Sequence, residues 1–321
     1  GRGLSASRLA AAGLLGLLAL YGVWRVDTPP ATVGEARVAL IQGNVDQAHK
    51  WDPAWQAETL RRYSDLSAAE ARAGADLLIW PETAMPFFFQ DPAPLSLLVR
   101  AQVRAMGAPL LAGSPAYTRE LGARDYVLHN RAFLINSSGI TLGHYDKEHL
   151  VPFGEYVPLS GLLGFLPKLV QGIGEFAPGR DQPALVLGNL ALGVLICYET
   201  IFPELAQDRV EHGANLLVNI SNDAWFGRSS APLQHLHLSV LRAVEQNRWM
   251  ARATNTGISA LIDPRGRILE RTGLFATTSL AGRVDLVAET TPFHRWRTWV
   301  DAGLALAALL PLAAVRGRRR R

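Results

Sequence analysis

The sequence predicts an α/β domain carried between two membrane helices. Three observations lead to this prediction: apolar segments lie near both ends of the 321-residue chain, short apolar runs alternate with amphipathic ones between them, and a proline-containing joint adjoins each apolar end. We therefore expect a transmembrane helix and its flank over residues 1–27, a folded domain over residues 28–295, and a second transmembrane helix with a basic tail over residues 296–321.

The first apolar segment covers residues 9–24 and lies between Arg8 and Arg25. It is uncharged but somewhat shorter than the ~20 residues that cross a bilayer core. A transmembrane helix is the favoured interpretation. A signal peptide also fits, because basic residues precede the apolar core, but no small-residue cleavage site follows it. A helix buried in the domain is the third interpretation.

The second apolar segment covers residues 300–315 and contains one acid, Asp301. Trp296 and Trp299 precede it, and tryptophan is favoured at the membrane boundary. Arginines follow it, so the positive-inside rule places this end in the cytoplasm and residues 28–295 on the opposite side. We expect no nucleic-acid partner, because no run of basic residues interleaved with aromatic ones occurs elsewhere.

Short apolar runs and helical spacing alternate along the middle of the chain. Apolar runs bounded by turn residues predict strands at residues 37–42, 76–80, 109–113, 132–136, 190–196, 214–220 and 257–262. Helical spacing predicts helices at residues 54–73 and 232–253. In α/β folds the loops at the carboxyl ends of strands carry chemistry, and Glu82 and Cys197 both lie at such ends.

Cys197 is the one cysteine of the chain, so neither an intramolecular disulfide nor a cysteine-based metal site is possible. A lone buried cysteine usually packs in a core. Here, however, it ends a strand and precedes Tyr198 and Glu199, where a turn into a helix exposes the sulfur. N–H groups at the start of a helix favour a thiolate and an oxyanion, so a nucleophile is the alternative interpretation.

Glu82 and Lys147 each have two interpretations. Glu82, in the motif WPET, is either an exposed residue at a helix start or a base that takes the proton of a thiol. Lys147, in the motif YDKEHL, belongs either to a solvated charge cluster or to a buried site, where its ammonium stabilises a developing oxyanion.

The three motifs are more specific together than alone. WPET after a strand, then YDKEHLVPFGEYVP, then ICYE after a strand, place the acid, the amine and the thiol in one order. This arrangement resembles the nitrilase, or carbon–nitrogen hydrolase, superfamily. The resemblance implies an αββα sandwich in which Glu82 is the general base, Lys147 stabilises the oxyanion, Cys197 is the nucleophile and Glu155 is a second glutamate of the site.

Further segments resemble the apolipoprotein N-acyltransferases of the bacterial inner membrane: GNVDQAHKWDP, LVPFGEYVPL, GEFAPG, ISNDAWFG, QHLH and ATNTGIS. This resemblance implies that an acyl chain passes from a phospholipid, through a thioester on Cys197, to the N-terminal cysteine amine of a diacylglyceryl lipoprotein. It implies no cofactor or metal, and a multi-pass enzyme whose catalytic domain faces the periplasm. Trp51, Glu155, Tyr198 and Glu199 then support the site or bind substrate.

Two other hypotheses stay open at this point. A membrane-tethered amidase uses the same three residues on small amides, with water as the second nucleophile. An inactive scaffold keeps the fold without the chemistry. The family also has several membrane helices before its catalytic domain, of which this sequence has one candidate.

Two further apolar segments each have two interpretations. Residues 158–176 carry two charges, Lys168 and Glu175, and form either a loop packed on the domain or a lid that contacts acyl chains. Phe87, Phe88 and Phe89 follow Glu82 and either line an acyl path or pack in the core.

Overall fold

The computed structural model describes residues 6–119, 126–156 and 175–318. The strands, in chain order, are β1 Thr32–Gln42, β2 Leu77–Ile79, β3 Leu110–Thr118, β4 Val127–Ile135, β5 Thr141–Asp146, β6 Leu185–Leu187, β7 Leu190–Ile196, β8 Leu216–Ser221, β9 Met250–Thr254, β10 Ala260–Ile262, β11 Ile268–Arg271 and β12 Thr278–Val287. The α-helices are α1 Ala6–Asp27, α2 Pro53–Arg72, α3 Pro94–Met106, α4 Pro203–Glu211, α5 Ala231–Gln246 and α6 Pro292–Arg318.

The strands form two six-stranded sheets. The first has the order β12-β1-β2-β3-β4-β5, and the second has the order β11-β10-β9-β8-β7-β6. β1, β2 and β3 are parallel, and two antiparallel steps bring β5 back to the direction of β2. In the second sheet β7, β8 and β9 are parallel. The carboxyl ends of β2 and β5 therefore share one edge, as do those of β7 and β8.

Each central strand buries both of its faces, which explains its continuous apolar sequence. In β1, Val38 and Leu40 pack against the second sheet, whereas Ala39 and Ile41 pack beneath α2 and α3. In β7, Leu195 packs beneath α4 and α5. The layers are therefore helices, sheet, sheet and helices, which is the αββα sandwich that the family resemblance implies.

The helix predicted at residues 232–253 is too long. Asn247 adopts a left-handed conformation, with φ of 52°, and ends α5 at Gln246. Asparagine tolerates this conformation better than most residues do. Residues Met250–Thr254 instead form β9, whose side chains are all buried. A segment this short fits a buried strand as well as a helix, and its place between β8 and β10 decides the outcome.

The two ends of the chain are helical. Among the described residues, Arg8–Asp27 is the one segment long and apolar enough to cross a membrane, and none of it is buried. A signal sequence has the same length and composition, so the segment fits both a transmembrane helix and a signal peptide. The C-terminal helix α6 forms where the sequence predicts a helix, but no second membrane-spanning segment is found within residues 6–119, 126–156 and 175–318. The predicted C-terminal transmembrane helix is therefore not shown.

Candidate active site

A cavity of about 440 Å³ opens where the loops at the carboxyl ends of the two sheets meet. Six of the sequence-predicted site residues line it: Trp51, Glu82, Lys147, Glu155, Cys197 and Tyr198. The seventh, Glu199, is fully buried. Its carboxylate accepts hydrogen bonds from the backbone N–H groups of Glu148 and Ile196, which adjoin Lys147 and Cys197 in the sequence. The structure thus brings together side chains that are up to 147 positions apart in the sequence.

Glu82 follows β2 by way of Pro81, which has no N–H to continue the sheet. Its carboxylate is held from both sheets. Oε1 accepts a hydrogen bond from Asn130 Nδ2 of β4 at 2.7 Å, and Oε2 accepts one from the backbone N–H of Asn222, after β8, at 2.9 Å. With 7% of its surface exposed, the carboxylate is fixed in direction and shielded from water.

Lys147 follows β5 and is almost completely buried, with 1% of its surface exposed. Its Nζ lies 2.9 Å from Glu155 Oε2 and 3.4 Å from Glu82 Oε1. Burial by itself lowers the pKa of Lys147, but the charges of Glu155 and Glu82 outweigh burial and raise it above the ordinary lysine value. The ammonium therefore stays charged inside the cavity.

Glu155 acts as the counterion of Lys147. Its Oε1 accepts a hydrogen bond from Asn130 Nδ2 at 2.9 Å, and its Oε2 accepts one from the Val151 N–H at 2.9 Å. Burial raises the pKa of Glu155, but Lys147 and these donors reverse the effect and lower it below the ordinary value. Asn130 thus bridges both carboxylates and fixes their separation around the ammonium.

Cys197 begins a short 3-10 helix, Cys197–Ile201, and has a left-handed backbone with φ of 54°. Burial and the negative charge of Glu82 raise the pKa of its thiol to about 12, although Lys147 opposes them. The expectation that helix N–H groups favour a thiolate here stays a prediction. The sulfur keeps its proton until a base removes it, and Glu82 is the carboxylate that raises the thiol pKa most.

The Glu199 carboxylate links the part of the site that follows β5 to the part that follows β7. Its Oε1 accepts hydrogen bonds from the Tyr145 hydroxyl at 2.9 Å and from the Glu148 N–H at 2.6 Å, both near the end of β5. Its Oε2 accepts one from the Ile196 N–H, at the end of β7, at 2.6 Å. Burial raises the pKa of Glu199 to about 7, against the effect of these donors. Glu199 thereby ties the lysine loop to the nucleophile.

Trp51 and Tyr198 form part of the cavity wall. The Trp51 Nε1–H is buried and has no hydrogen-bond partner within the part of the chain that the structure describes. Tyr198 packs edge-on against Phe202, with ring centroids 5.3 Å apart. Trp51 therefore offers a free donor to a bound molecule, and Tyr198 offers an aromatic face.

Sequence reasoning missed Lys50, Asn130, Asn222 and His235, which all line the cavity. Lys50 is buried and its Nζ donates to the Glu82 carbonyl oxygen at 3.2 Å. Burial lowers the pKa of Lys50 to about 8, although Glu82 and Cys197 raise it in part. The position of Lys50 directly before Trp51 could have indicated a site residue. Asn130, in contrast, lies inside β4, whose sequence pattern indicates only that the strand is buried.

The phenylalanines after Glu82 differ in burial. Phe89 is fully buried in the core and packs edge-on against Phe133 at 5.1 Å. Phe87 and Phe88 are half-buried: Phe87 packs against the core, and Phe88 packs edge-on against Tyr117 at 5.2 Å. They do not line the described cavity wall. The predicted lid at residues 158–176 lies almost wholly outside the described residues, but its last residue, Phe176, lines the cavity.

Comparison with known proteins agrees with this geometry. A model of the carbon–nitrogen hydrolase family matches residues 37–291. Apolipoprotein N-acyltransferase of Geobacter metallireducens is 45% identical over 301 residues, which cover 94% of this chain and 57% of that protein. Apolipoprotein N-acyltransferase of Azotobacter vinelandii is 41% identical over 287 residues, which cover 89% of this chain and 54% of that protein. The chain thus spans little more than half the length of these relatives.

The fold has relatives among solved structures. Nit3 of Saccharomyces cerevisiae, a member of the nitrilase superfamily, superposes with a TM-score of 0.61 at 18% identity, covering 80% of this chain and 93% of that chain. This likeness confirms the two-sheet architecture. The resemblance read from the motifs is also confirmed, since the family model covers both sheets: the chain belongs to the carbon–nitrogen hydrolase family.

Proposed function

We propose that this chain carries the catalytic domain of an apolipoprotein N-acyltransferase, over residues 28–295. The observation that carries the proposal is the meeting of Glu82, Lys147 and Cys197 in one buried cavity, with an acid and an ammonium 3.4 Å apart beside a protonated thiol. The relatives that bear this name support the assignment of the substrates.

In the first half-reaction, Glu82 takes the Cys197 proton as the sulfur attacks the ester carbonyl of a phospholipid. The negative charge that develops on the carbonyl oxygen is stabilised by the Lys147 ammonium and by backbone N–H groups near Cys197. The carbon–oxygen bond then breaks, and Glu82 gives its proton to the departing lysophospholipid. The acyl chain remains on the sulfur as a thioester, and no metal or cofactor takes part.

In the second half-reaction, the α-amine of a diacylglyceryl-modified cysteine attacks the thioester. Glu82 accepts a proton from the attacking nitrogen, the carbon–sulfur bond breaks, and the proton passes to the sulfur. The products are an amide, which makes the lipoprotein triacylated, and the free thiol of Cys197. Trp51, Tyr198 and Phe176 supply walls that keep water from the thioester until the amine arrives.

The membrane setting follows from the substrates, which are both held in lipid. Trp225 lines the cavity, yet 49% of its surface is exposed, as suits a side chain at a membrane boundary. Anchoring beside the bilayer raises the effective concentration of two lipid-borne substrates. We place the enzyme in the bacterial inner membrane as a multi-pass protein whose catalytic domain faces the periplasm.

The test is to trap the thioester. The chain in detergent micelles is incubated with phosphatidylethanolamine, and its intact mass is measured. We expect the mass of one acyl chain on the parent and none on the Cys197→Ala variant. Adding a synthetic diacylglyceryl peptide with a free N-terminal cysteine should discharge the acyl group onto the peptide. Modification by small amides but not by phospholipid would instead support the amidase hypothesis.

A further inference from the structure

A buried polar network lies behind the nucleophile and takes no part in the mechanism above. It consists of Ser221, Asp223, His235, Ser239 and Arg252, hereafter the His235 network. All five are buried, and Arg252 has no exposed surface. Burying an arginine, an aspartate and a histidine together is costly unless each is paired, so the arrangement calls for a physical explanation.

The contacts in the network converge on one ring. Asp223 Oδ2 lies 2.8 Å from Arg252 Nη2, and Asp223 Oδ1 accepts a hydrogen bond from the Ser221 hydroxyl at 2.7 Å. His235 Nδ1 lies 3.0 Å from both Arg252 Nη2 and Asp223 Oδ1. The Ser239 hydroxyl accepts from Arg252 Nη1 at 3.3 Å. The imidazole is therefore held rigidly from its Nδ1 side.

The other ring nitrogen reaches the nucleophile. His235 Nε2 lies 3.1 Å from the Cys197 carbonyl oxygen, and since that oxygen only accepts, Nε2 carries the hydrogen. Burial and the charge of Arg252 lower the pKa of His235, against the effect of Asp223. With the hydrogen on Nε2, the Nδ1 lone pair of a neutral ring accepts from Arg252 Nη2. With both nitrogens engaged, His235 is not available as a base for the thiol.

The Cys197 carbonyl needs such support. Its residue has a left-handed backbone, which is a strained conformation for a non-glycine residue. Asn219 Nδ2 contributes a second donor to the same oxygen at 3.4 Å, and Asn219 is itself bonded to Arg252. A trans peptide is planar, so fixing this carbonyl also fixes the direction of the Tyr198 N–H on the opposite side.

We propose that His235 is a positioning residue: its Nε2–H holds the Cys197 carbonyl and thereby keeps the sulfur and the Tyr198 N–H aimed at the carbonyl carbon and oxygen of the acyl donor. The inference rests on the proposed function in taking Cys197 as the acylated nucleophile. It concerns orientation and not proton transfer, so it affects reactions that develop an oxyanion more than those that do not.

A matched pair of variants separates these effects. In His235→Gln the side-chain amide reaches the position of Nε2, whereas in His235→Asn it reaches only that of Nδ1. Each chain, in detergent, is acylated with p-nitrophenyl acetate: the acetyl–sulfur bond forms, the acetyl–oxygen bond breaks, and released nitrophenol is followed by its absorbance. In parallel, Cys197 is alkylated with iodoacetamide, a displacement that creates no oxyanion.

We expect His235→Asn to lose about 100-fold in acetylation rate, since small misalignments of reacting groups have effects of this size. His235→Gln should stay within about threefold of the parent, and both variants should keep the parent's alkylation rate within about threefold. Thermal unfolding of the two variants checks that both are folded. If His235→Asn does not fold, the acetylation and alkylation rates of His235→Gln and Asn219→Asp test the positioning role instead. Asn219→Asp removes the second donor to the Cys197 carbonyl.

Three outcomes overturn the inference. Equal acetylation of His235→Asn and the parent removes the positioning role while leaving the proposed function intact. Equal losses of acetylation and alkylation indicate that the network only maintains the shape of the cavity. A parent chain that p-nitrophenyl acetate does not acylate at Cys197 overturns the inference together with the proposed function.

Discussion

Buried charge is the main feature of the site at the scale of single residues. Lys147 compensates Glu82 and Glu155, so removing the lysine alone leaves two largely buried carboxylates unpaired. Cys197 lies beside this cluster with its proton retained. A resting thiol is less prone to oxidation than a thiolate, and in the proposed mechanism the reactive form arises when Glu82 takes the proton.

The raised thiol pKa predicts an unusual pH dependence of alkylation. An acid whose pKa is raised to about 12 is protonated at neutral pH, and its thiolate fraction grows about tenfold per pH unit below that value. Iodoacetamide should therefore modify Cys197 at least about 100-fold more slowly than N-acetylcysteine at pH 7, and the rate should still rise at pH ~10.

The measurement is simple because the chain has one cysteine. N-acetylcysteine in the same detergent is the control, and its rate should level off above its ordinary pKa of about 8.5. A rate for Cys197 that levels off below pH ~8 would contradict the prediction, because it would indicate a thiolate stabilised in the resting protein.

At the scale of elements, β3 sets the position of the Glu82 loop. Gly113 of β3 lies so close to this loop that an added Cβ would be 2.5 Å from the Thr83 nitrogen and 2.7 Å from the Glu82 Cα. The Met85 N–H donates to the Gly113 carbonyl at 3.0 Å, and the Gly113 N–H donates to the Pro81 carbonyl at 3.2 Å. These hydrogen bonds fix the backbone of β3 and that of the Glu82 loop, so neither can easily move to make room for an added Cβ atom.

Gly113→Ala should displace Glu82 and slow the acylation of Cys197 by about 100-fold. The overlap should also cost about 1–3 kcal/mol of unfolding free energy, as other overpacked cores do. Gly273→Ala is the matched control, because an added Cβ there meets no atom within 4 Å. Acylation rates and thermal unfolding of the two variants are compared. Unchanged acylation in Gly113→Ala would show that the loop adapts.

The elements that could be predicted from the sequence are those whose local residue pattern determines their secondary structure. The second half of β1, all of β7 and most of β8 are apolar runs buried on both faces, and α2 has clear helical spacing. β12 was not predicted, because its sequence TSLAGRVDLV is mixed and its pairing partner β1 lies far away in the chain. The same distinction holds in the site: motifs indicated Glu82, Lys147 and Cys197, whereas Asn130 and His235 acquire their roles only through contacts across the fold.

At the scale of the whole molecule, α1 is the described element that is long and apolar enough to cross a membrane. The end of α1 is attached to the domain: Arg25 Nη2 donates to Asn247 Oδ1 at 2.7 Å, and Arg267 Nη2 donates to the Val26 carbonyl at 3.2 Å. The apolar side chains of α1 before this point are exposed. The domain therefore sits close to the point where α1 would leave the bilayer.

Reporter fusions test the proposed orientation. Alkaline phosphatase is active only where its disulfides form, on the periplasmic side. Fused after Thr28 it should be active, and fused after Arg321 it should be inactive, because the arginines that end the chain favour the cytoplasm. A fluorescent protein at the same two positions is the control and should give the opposite pattern. Phosphatase activity after Arg321 would contradict a second membrane crossing by α6.

The pairing of β1 with β12 joins the first strand of the domain to its last. Glu82 and Lys147 belong to the sheet that this pairing completes, while Cys197 comes from the other sheet. A chain synthesised only as far as Cys197 therefore still lacks β12, so one edge of the sheet that carries Glu82 and Lys147 is missing. The pair of sheets around the cavity is complete only once the residues up to Val287 have been made.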